Sequence, residues 1–405
     1  MNSHLTQLHP YPFEKLALLK QGITPAADKS PIALSIGEPQ HPTPHFIQEA
    51  LIQHLHGLSA YPSTKGLPEL RQAIARWLMH RFGLPAAAVD AEQHVLPVNG
   101  SREALFSFVQ AVVDPAEQAL VLMPNPFYQI YEGAALLAGA RPYYLNTTAE
   151  TGFLPDFDAV PEAVWRRCKV LFICSPGNPT GAVLPAAQHR KLLALAERYD
   201  FIIASDECYT ELYFDENAPP PGLLGSAYQA GNTDFRRCVS FQSLSKRSNA
   251  PGLRSGFVAG DPGILRQYLK YRTYHGCAMP LPTQHASIAA WRDEAHVRHN
   301  RDLYRAKFAA VLNILRDACE VEQPAAGFYL WLRTRGNRGL NLSGEEFAQH
   351  LLGRKNITVL PGGYLSRDND GINPGADYVR MALVAPLNEC VAAAERLKTF
   401  INSFN

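Results

Sequence analysis

The sequence predicts an α/β protein: a mainly parallel sheet covered by helices, followed by a smaller α+β domain. Three observations carry this. From Leu96 to Ala259 short apolar runs alternate with helical stretches, the rhythm of parallel strands joined by helices. The loops rich in glycine, proline and polar residues follow those apolar runs, where α/β sheets place their sites. After roughly residue 285 a long charged helical stretch begins, followed by shorter strands and helices.

In order, Tyr11 to Gly22 reads as a short helix stopped by glycine, and Ile32 to Ile36 as a strand running into the turn Gly37-Glu38-Pro39. Phe46 to His56 is helical. The loop Tyr61 to Arg71 leads into a helix through Phe82. Leu96 to Val98 is a strand, Asn99-Gly100 a turn, and Ser101 a helix start. Strands are expected at Leu120–Met123, Val170–Cys174, Phe201–Ser205, Cys238–Phe241 and Phe257–Ala259. Helices are expected at Pro126–Ala138 and Ala186–Tyr199, and one long helix at Ala286–Cys319. Further strands fall at Phe328–Leu332, Ile357–Leu360 and Val379–Leu383, with helices at 344–352 and 387–401.

Bulk properties exclude several classes. A chain of 405 residues exceeds what one core usually serves. With 46% hydrophobic and 19% charged residues it is not disordered. A formal net charge of +1 gives no basic footprint for nucleic acid. No apolar run approaches the ~20 residues of a membrane helix, and Met1 to Pro10 lacks the layout of a secretory signal. The seven cysteines form no Cys-x-x-Cys pair and lie mostly in apolar runs. Reduced, buried thiols in a cytoplasmic protein are expected, with no metal site.

Six stretches could carry chemistry. In Ser243 to Gly256 one lysine, Lys246, stands among small hydroxyl residues, with Arg254 eight positions on. That suits an anion beside an amine-bearing catalyst. Gly100-Ser101-Arg102 opens a helix, whose first-turn N–H groups and dipole favour a phosphate; Ser101 could equally be a plain cap. Phe127 and Tyr128 follow a strand and either stack on a planar ring or pack in the core. In Ser175 to Gly181, prolines and glycines fix a rigid loop around Asn178, whose amide can face a ligand, although a plain turn could use the same residues. Asp206 ends a buried strand and needs a cation or hydrogen-bond donors, unless it only caps. Arg380 lies inside the apolar strand Tyr378 to Leu383. Its charge calls for a carboxylate unless the side chain faces outward.

In combination and order, Ser175-Pro176-Gly177-Asn178-Pro179-Thr180-Gly181, Ser205-Asp206-Glu207-Cys208-Tyr209 and Ser243-Leu244-Ser245-Lys246 resemble the fold-type-I, class I/II aminotransferases that depend on pyridoxal 5′-phosphate. The resemblance runs from Gly37-Glu38-Pro39 to Arg380. It implies an N-terminal segment (1–45) packed with the small domain, a large domain (46–285) with a mainly parallel seven-stranded sheet, and a small C-terminal domain (286–405). It implies that Lys246 forms a Schiff base with the cofactor and then, as a free amine, moves the proton between the substrate α-carbon and cofactor C4′. Asp206 pairs with the pyridine nitrogen. Tyr209 and Asn178 hydrogen-bond the ring oxygen. Tyr128 stacks on the ring, with Phe127 as runner-up. The phosphate is held by the N–H groups of Ser101 and Arg102, the Ser243 hydroxyl and Arg254, with Ser245 a further candidate. Tyr61 matches a tyrosine that reaches the neighbouring subunit's phosphate, which implies a homodimer. Arg380 clamps the substrate α-carboxylate with help from the Gly37 N–H and Asn178, and so orients the bond to be cleaved.

Within that family, Tyr61 to Arg71, Pro124 to Tyr131 and Pro10-Tyr11-Pro12-Phe13 look most like bacterial succinyldiaminopimelate transaminases of lysine and diaminopimelate biosynthesis. The reaction implied joins N-succinyl-LL-2,6-diaminopimelate and 2-oxoglutarate to N-succinyl-2-amino-6-ketopimelate and glutamate. Distal carboxylates of such a substrate need cations at the cavity mouth. Lys65, Arg102 and Arg247 are the candidates, unless they are surface charges. The run Arg247 to Arg254 departs from the aromatic and Met-Thr-Gly-Trp pattern of many relatives but keeps the lysine-to-arginine spacing. The alternatives are an aspartate, alanine or aromatic aminotransferase and a carbon–sulfur β-lyase on the same cofactor. A non-catalytic cofactor-binding regulator would want a fused DNA-binding region, for which the sequence shows neither the extra length nor a basic patch.

Overall fold

The computed structural model describes residues 1–404. Its strands in chain order are β1 (Ile32–Ala33), β2 (Val95–Val98), β3 (Leu120–Asn125), β4 (Arg141–Asn146), β5 (Cys168–Cys174), β6 (Ile202–Asp206), β7 (Cys238–Ser243) and β8 (Gly256–Gly260). They continue with β9 (Tyr329–Arg333), β10 (Arg335–Asn337), β11 (Leu340–Asn341), β12 (Ile357–Thr358), β13 (Leu360–Pro361) and β14 (Tyr378–Ala382). A seven-stranded sheet has the order β2-β8-β7-β6-β5-β3-β4. Every neighbouring pair is parallel except those of β8, which runs antiparallel to β2 and β7.

Side-chain alternation along the strands builds two cores. Leu171 and Ile173 of β5 pack with Leu122, Ile203 and Phe257 on one face. Val170 and Phe172 pack with Val121, Ala204, Val239 and Phe241 on the other. Helices Pro68–Arg81, Ala186–Tyr199 and Leu281–Arg292 cover the first face. Ser101–Val112, Ile130–Leu137 and Pro262–His275 cover the second. The same alternation aims Asp206, two residues past Ala204, and Ser243, two past Phe241, toward the helices of the second face. A third core joins Leu16, Leu19, Ile32 and Leu34 to Phe308, Leu330, Phe347 and Leu397. There β1 pairs in parallel with β12, and β13-β14-β9 make an antiparallel sheet.

Several elements differ from expectation. The edge strand β4 was not foreseen: it reads Arg-Pro-Tyr-Tyr-Leu-Asn and is mostly half-exposed, so no apolar run marks it. Helix Pro262–His275, capped by the Asp261 side chain, was also missed. The long helix expected at Ala286–Cys319 is two, Leu281–Arg292 and Ala295–Leu315. They break where the Asp293 carboxylate accepts from the His296 N–H at 2.9 Å and starts a new helix. The strand expected at Ile32–Ile36 is shortened to Ile32–Ala33. The run Ile357–Leu360 divides between two sheets, β12 with β1 and β13 with β14. Helix Pro126–Ala138 begins only at Ile130. Among the described residues no helix is long and apolar enough to cross a membrane.

Candidate active site

The C-terminal ends of β6 and β7 open into a cavity of ≈ 650 Å³, closed on one side by Ile36 to Glu38 of the N-terminal segment. Lys246 enters it from the single helical turn Leu244–Arg247. That turn is started by Ser243, whose hydroxyl accepts from the Ser245 N–H at 3.1 Å. Burial drives the Lys246 amine pKa down, and the charges of Arg254 and Arg102 push the same way, against Cys208 and Asp206. A depressed amine is the nucleophilic, proton-accepting form.

Asp206 is only 4% exposed. Tyr131 donates its hydroxyl to Oδ2 at 2.7 Å, and the Cys208 N–H donates to Oδ1 at 3.2 Å. Burial raises its pKa, while these donors and the Lys246 charge oppose the rise. Among the described residues it makes no ion pair. A buried carboxylate of this kind, lining a cavity, is suited to a cation brought by a ligand.

Arg380 occupies β14, opposite Leu360 of β13 and Trp331 of β9. It is 4% exposed. Nη1 donates to Asn178 Oδ1 at 3.0 Å and Nη2 to the Ser35 carbonyl at 2.8 Å. The guanidinium lies 4.4 Å from the Tyr329 ring centroid, and Nε has no partner among the described residues. No carboxylate pairs with it among the described residues. The Tyr329 hydroxyl in turn bonds that of Tyr209 at 2.9 Å. A Cβ on Gly37 would stand 1.9 Å from the Tyr329 oxygen, so only glycine lets the N-terminal segment pass there. The buried, charged, unpaired fork of Arg380 is shaped for an incoming carboxylate.

The anion end is built from a helix start and an arginine. Gly100 adopts φ +85° before helix Ser101–Val112, and Ser101 and Arg102 line the cavity. A Cβ on Gly100 would meet Arg254 Nη2 at 2.5 Å, so the glycine also admits the guanidinium. Arg254 donates to the Pro251 carbonyl at 2.9 Å and pairs with no carboxylate among the described residues. With the Ser243 and Ser245 side chains on the same wall, free helix N–H groups and an arginine converge, as phosphate sites require.

The remaining expected residues divide. Tyr128 lines the cavity and accepts from Arg102 Nε at 2.7 Å. Phe127, the runner-up, is 1% exposed, stacked on Tyr144 and covered by Arg367; it is core. Asn178 and Tyr209 line the cavity together. Tyr61 is not brought to it and stands fully exposed. Of the cations weighed for distal carboxylates, Lys65 is outside, bonded to Glu92 at 2.7 Å. Arg247 is neither in the cavity nor on the surface: it is buried between Trp77 and Trp291 and paired with Glu294. Only Arg102 lines the site. Sequence reasoning missed Tyr131, Tyr329, Tyr11 and Cys208. Tyr131, Tyr11 and Cys208 fall within the stretches Pro124 to Tyr131, Pro10 to Phe13 and Ser205 to Tyr209 that carry the resemblance, but without a separate sign of a role, and Tyr329 had no signal.

The set suits a flat, phosphorylated, aldehyde-bearing pyridine. Asp206 would meet the ring nitrogen, Tyr128 a ring face, Asn178 and Tyr209 a ring oxygen, and the Ser101–Arg254 end the phosphate. Lys246 would stand at the aldehyde, leaving Arg380 for a substrate carboxylate.

The sequence profile of the family "Aminotransferase class I and II" matches residues 29–391. An LL-diaminopimelate aminotransferase of Nitratidesulfovibrio vulgaris is 33% identical over 399 residues, 97% of each chain. A crystal structure of an aminotransferase from Neisseria meningitidis superposes with a TM-score of 0.94 at 50% identity over 100% of both chains. A probable N-succinyldiaminopimelate aminotransferase from Thermus thermophilus has a TM-score of 0.81 at 28% identity, covering 96% of this chain and 100% of its own.

Proposed function

Because this chain belongs to the class I and II aminotransferases, which depend on pyridoxal 5′-phosphate, we propose that it transaminates a diaminopimelate-type amino donor. N-succinyl-LL-2,6-diaminopimelate and 2-oxoglutarate are the substrates put forward. The observation that carries a carboxylated amino donor is Arg380: a buried guanidinium, without a carboxylate partner among the described residues, in the same cavity as Lys246 and Asp206. The diaminopimelate skeleton is supported by the names of the relatives, which include LL-diaminopimelate and N-succinyldiaminopimelate aminotransferases. Those names also support a second reading, free LL-diaminopimelate as the donor.

The cofactor, when bound, supplies an aldehyde for the amino group and a ring that draws electrons from the α-carbon. This chain's residues do the rest. Arg380, with Asn178 and the Gly37 N–H, holds the α-carboxylate and turns the Cα–H bond toward Lys246. The Lys246 amine, whose pKa burial lowers, would accept that proton from the α-carbon and return it to the cofactor's aldehyde carbon. The Asp206 carboxylate, fixed by Tyr131 and the Cys208 N–H, would hold the ring nitrogen and favour its protonated form. Ser101, Arg102, Ser243 and Arg254 anchor the phosphate, and Arg102 at the cavity wall is the cation available for a distal carboxylate.

The protein acts as a homodimer in this reading. Tyr61 is fully exposed, and Ile52, Leu55, Leu58 and Tyr274 are exposed as well, apolar surface of the kind a partner covers. Tyr61 would then reach the partner's phosphate site. The substrate reading is tested by single-turnover half-reactions with succinyldiaminopimelate, LL-diaminopimelate, glutamate, aspartate and alanine. Fast conversion of aspartate, with none of either diaminopimelate form, rejects it.

A further inference from the structure

We propose that Arg247 and Asn300 are positioning residues that pin the main chain of Lys246 to the junction of helices Leu281–Arg292 and Ala295–Leu315. Arg247 is 2% exposed. Its Nη1 donates to the Ala290 carbonyl at 2.8 Å, and its Nη2 donates to the Asp293 carbonyl at 3.2 Å and pairs with Glu294. Its guanidinium carbon lies 4.8 Å from the Trp291 ring centroid and 5.6 Å from that of Trp77. One side chain thus closes the last turn of the first helix, the break and the start of the second.

Asn300 holds the same loop from the second helix. It is 1% exposed, and its Nδ2 donates to the Lys246 carbonyl at 3.1 Å. Its Oδ1 accepts from Asn249 Nδ2 at 3.0 Å and from His41 Nδ1 at 3.1 Å. Ser248 meets His296 Nε2 at 2.8 Å. Four consecutive residues, starting at the lysine, are therefore tied to residues 290–300. His41 brings in the N-terminal segment, three residues beyond Glu38 of the cavity wall.

The turn Leu244–Arg247 is a single turn and has little stiffness of its own. The Lys246 stem is long and flexible. The amine can be placed only if its Cα is, and the brace does this from behind the cavity. Where the orientation of reacting groups sets the rate, a displacement of about 1 Å costs roughly a hundredfold. Arg247 contributes three contacts from one rigid fork, which a lysine cannot reproduce.

The test uses the cofactor-loaded enzyme with Arg247→Lys, Asn300→Asp and Asn300→Ser. Asn300→Asp keeps the shape and removes the donor to the Lys246 carbonyl. Expected are a kcat lowered ~10- to 100-fold with the amino-donor KM within ~3-fold. Cofactor affinity should hold, and the pH midpoint of the bound cofactor's visible absorbance should shift. A kcat within about twofold of wild type in a folded, loaded Asn300→Asp protein overturns the proposal. So does a kcat loss that tracks cofactor loss and melting temperature with no shift of the midpoint, since that is a structural role. If Arg247→Lys does not fold, the two Asn300 variants decide. The inference rests on Lys246 as the reacting amine: activity surviving Lys246→Ala would sink that reading, whereas inactive Lys246→Ala beside fully active brace variants sinks only the brace.

Discussion

Arg380→Met separates a substrate clamp from a structural ion pair. In the folded chain the guanidinium has two neutral acceptors, Asn178 Oδ1 at 3.0 Å and the Ser35 carbonyl at 2.8 Å, and the Tyr329 face at 4.4 Å. No carboxylate pairs with it among the described residues. Losing two such bonds and a cation–π contact costs a few kcal/mol. Removing a charge buried without an anion returns an effective several kcal/mol of desolvation. The two nearly cancel, so folding stability should change by less than about 2 kcal/mol. Function should change far more. A buried, hydrogen-bonded charge pair with the substrate is worth about 2–5 kcal/mol, or roughly 30- to 5,000-fold in kcat/KM. The assay follows cofactor absorbance in single turnovers with an α-amino acid and with the amine that lacks its carboxylate. The loss should fall on the amino acid and largely spare the amine. Equal losses on both, or destabilisation beyond about 3 kcal/mol, the mark of a broken buried pair, would refute the reasoning.

Asp206→Asn keeps the shape and the Tyr131 contact but removes the charge that steadies a ring cation. kcat should fall about a hundredfold or more while the cofactor stays bound; a near wild-type kcat contradicts the role. His189 is fully buried, with Nδ1 at 2.8 Å from Ser226 Oγ and Nε2 without a partner among the described residues, and burial pushes its pKa down to about 4. His296 is likewise lowered to about 4, chiefly by burial. Between these values and the unfolded ~6.5 the unfolded chain binds more protons, so stability rises with pH across that window. Acidification from pH 6.5 to 4 should therefore cost up to about 3 kcal/mol per histidine. Denaturant melts at both ends of the window should show a smaller difference in His189→Gln, and an unchanged difference contradicts the cause given. If Tyr61 reaches a partner's phosphate site as proposed, Tyr61→Phe should leave sedimentation unchanged and weaken cofactor retention roughly 3- to 10-fold; a fully active monomer would contradict that proposal.

The legible parts of the site were those whose signal is local. Asp206 ends β6, Lys246 lies in the helical turn after β7, Asn178 is in the loop after β5 and Ser101 opens a helix; each was a candidate through a few neighbours, and the resemblance gave it a role. Arg380 was readable because a charge inside an apolar strand needs an explanation. What escaped depends on the sheet order and on helix junctions. Tyr329 and Asp206 lie far apart in the chain and meet one cavity only because β9 and β6 are brought together. The edge strand β4 is mostly half-exposed, which removes the apolar run that marks the strands at the centre of the sheet. Arg247 looked like surface charge in a polar loop; the Trp77 and Trp291 rings and Glu294 that bury it come from three distant segments. The choice between Phe127 and Tyr128 likewise turned on which side chain Tyr144 and Arg367 cover.

The most direct measurement is the single-turnover half-reaction of the cofactor-loaded protein with N-succinyl-LL-2,6-diaminopimelate, wild type beside Lys246→Ala. The wild type should bind the cofactor with a visible absorbance that the succinylated donor converts rapidly, and the variant should show neither. A wild-type protein that stays colourless after cofactor addition, or Lys246→Ala converting the donor at the wild-type rate, would contradict the assignment of this cavity and its lysine.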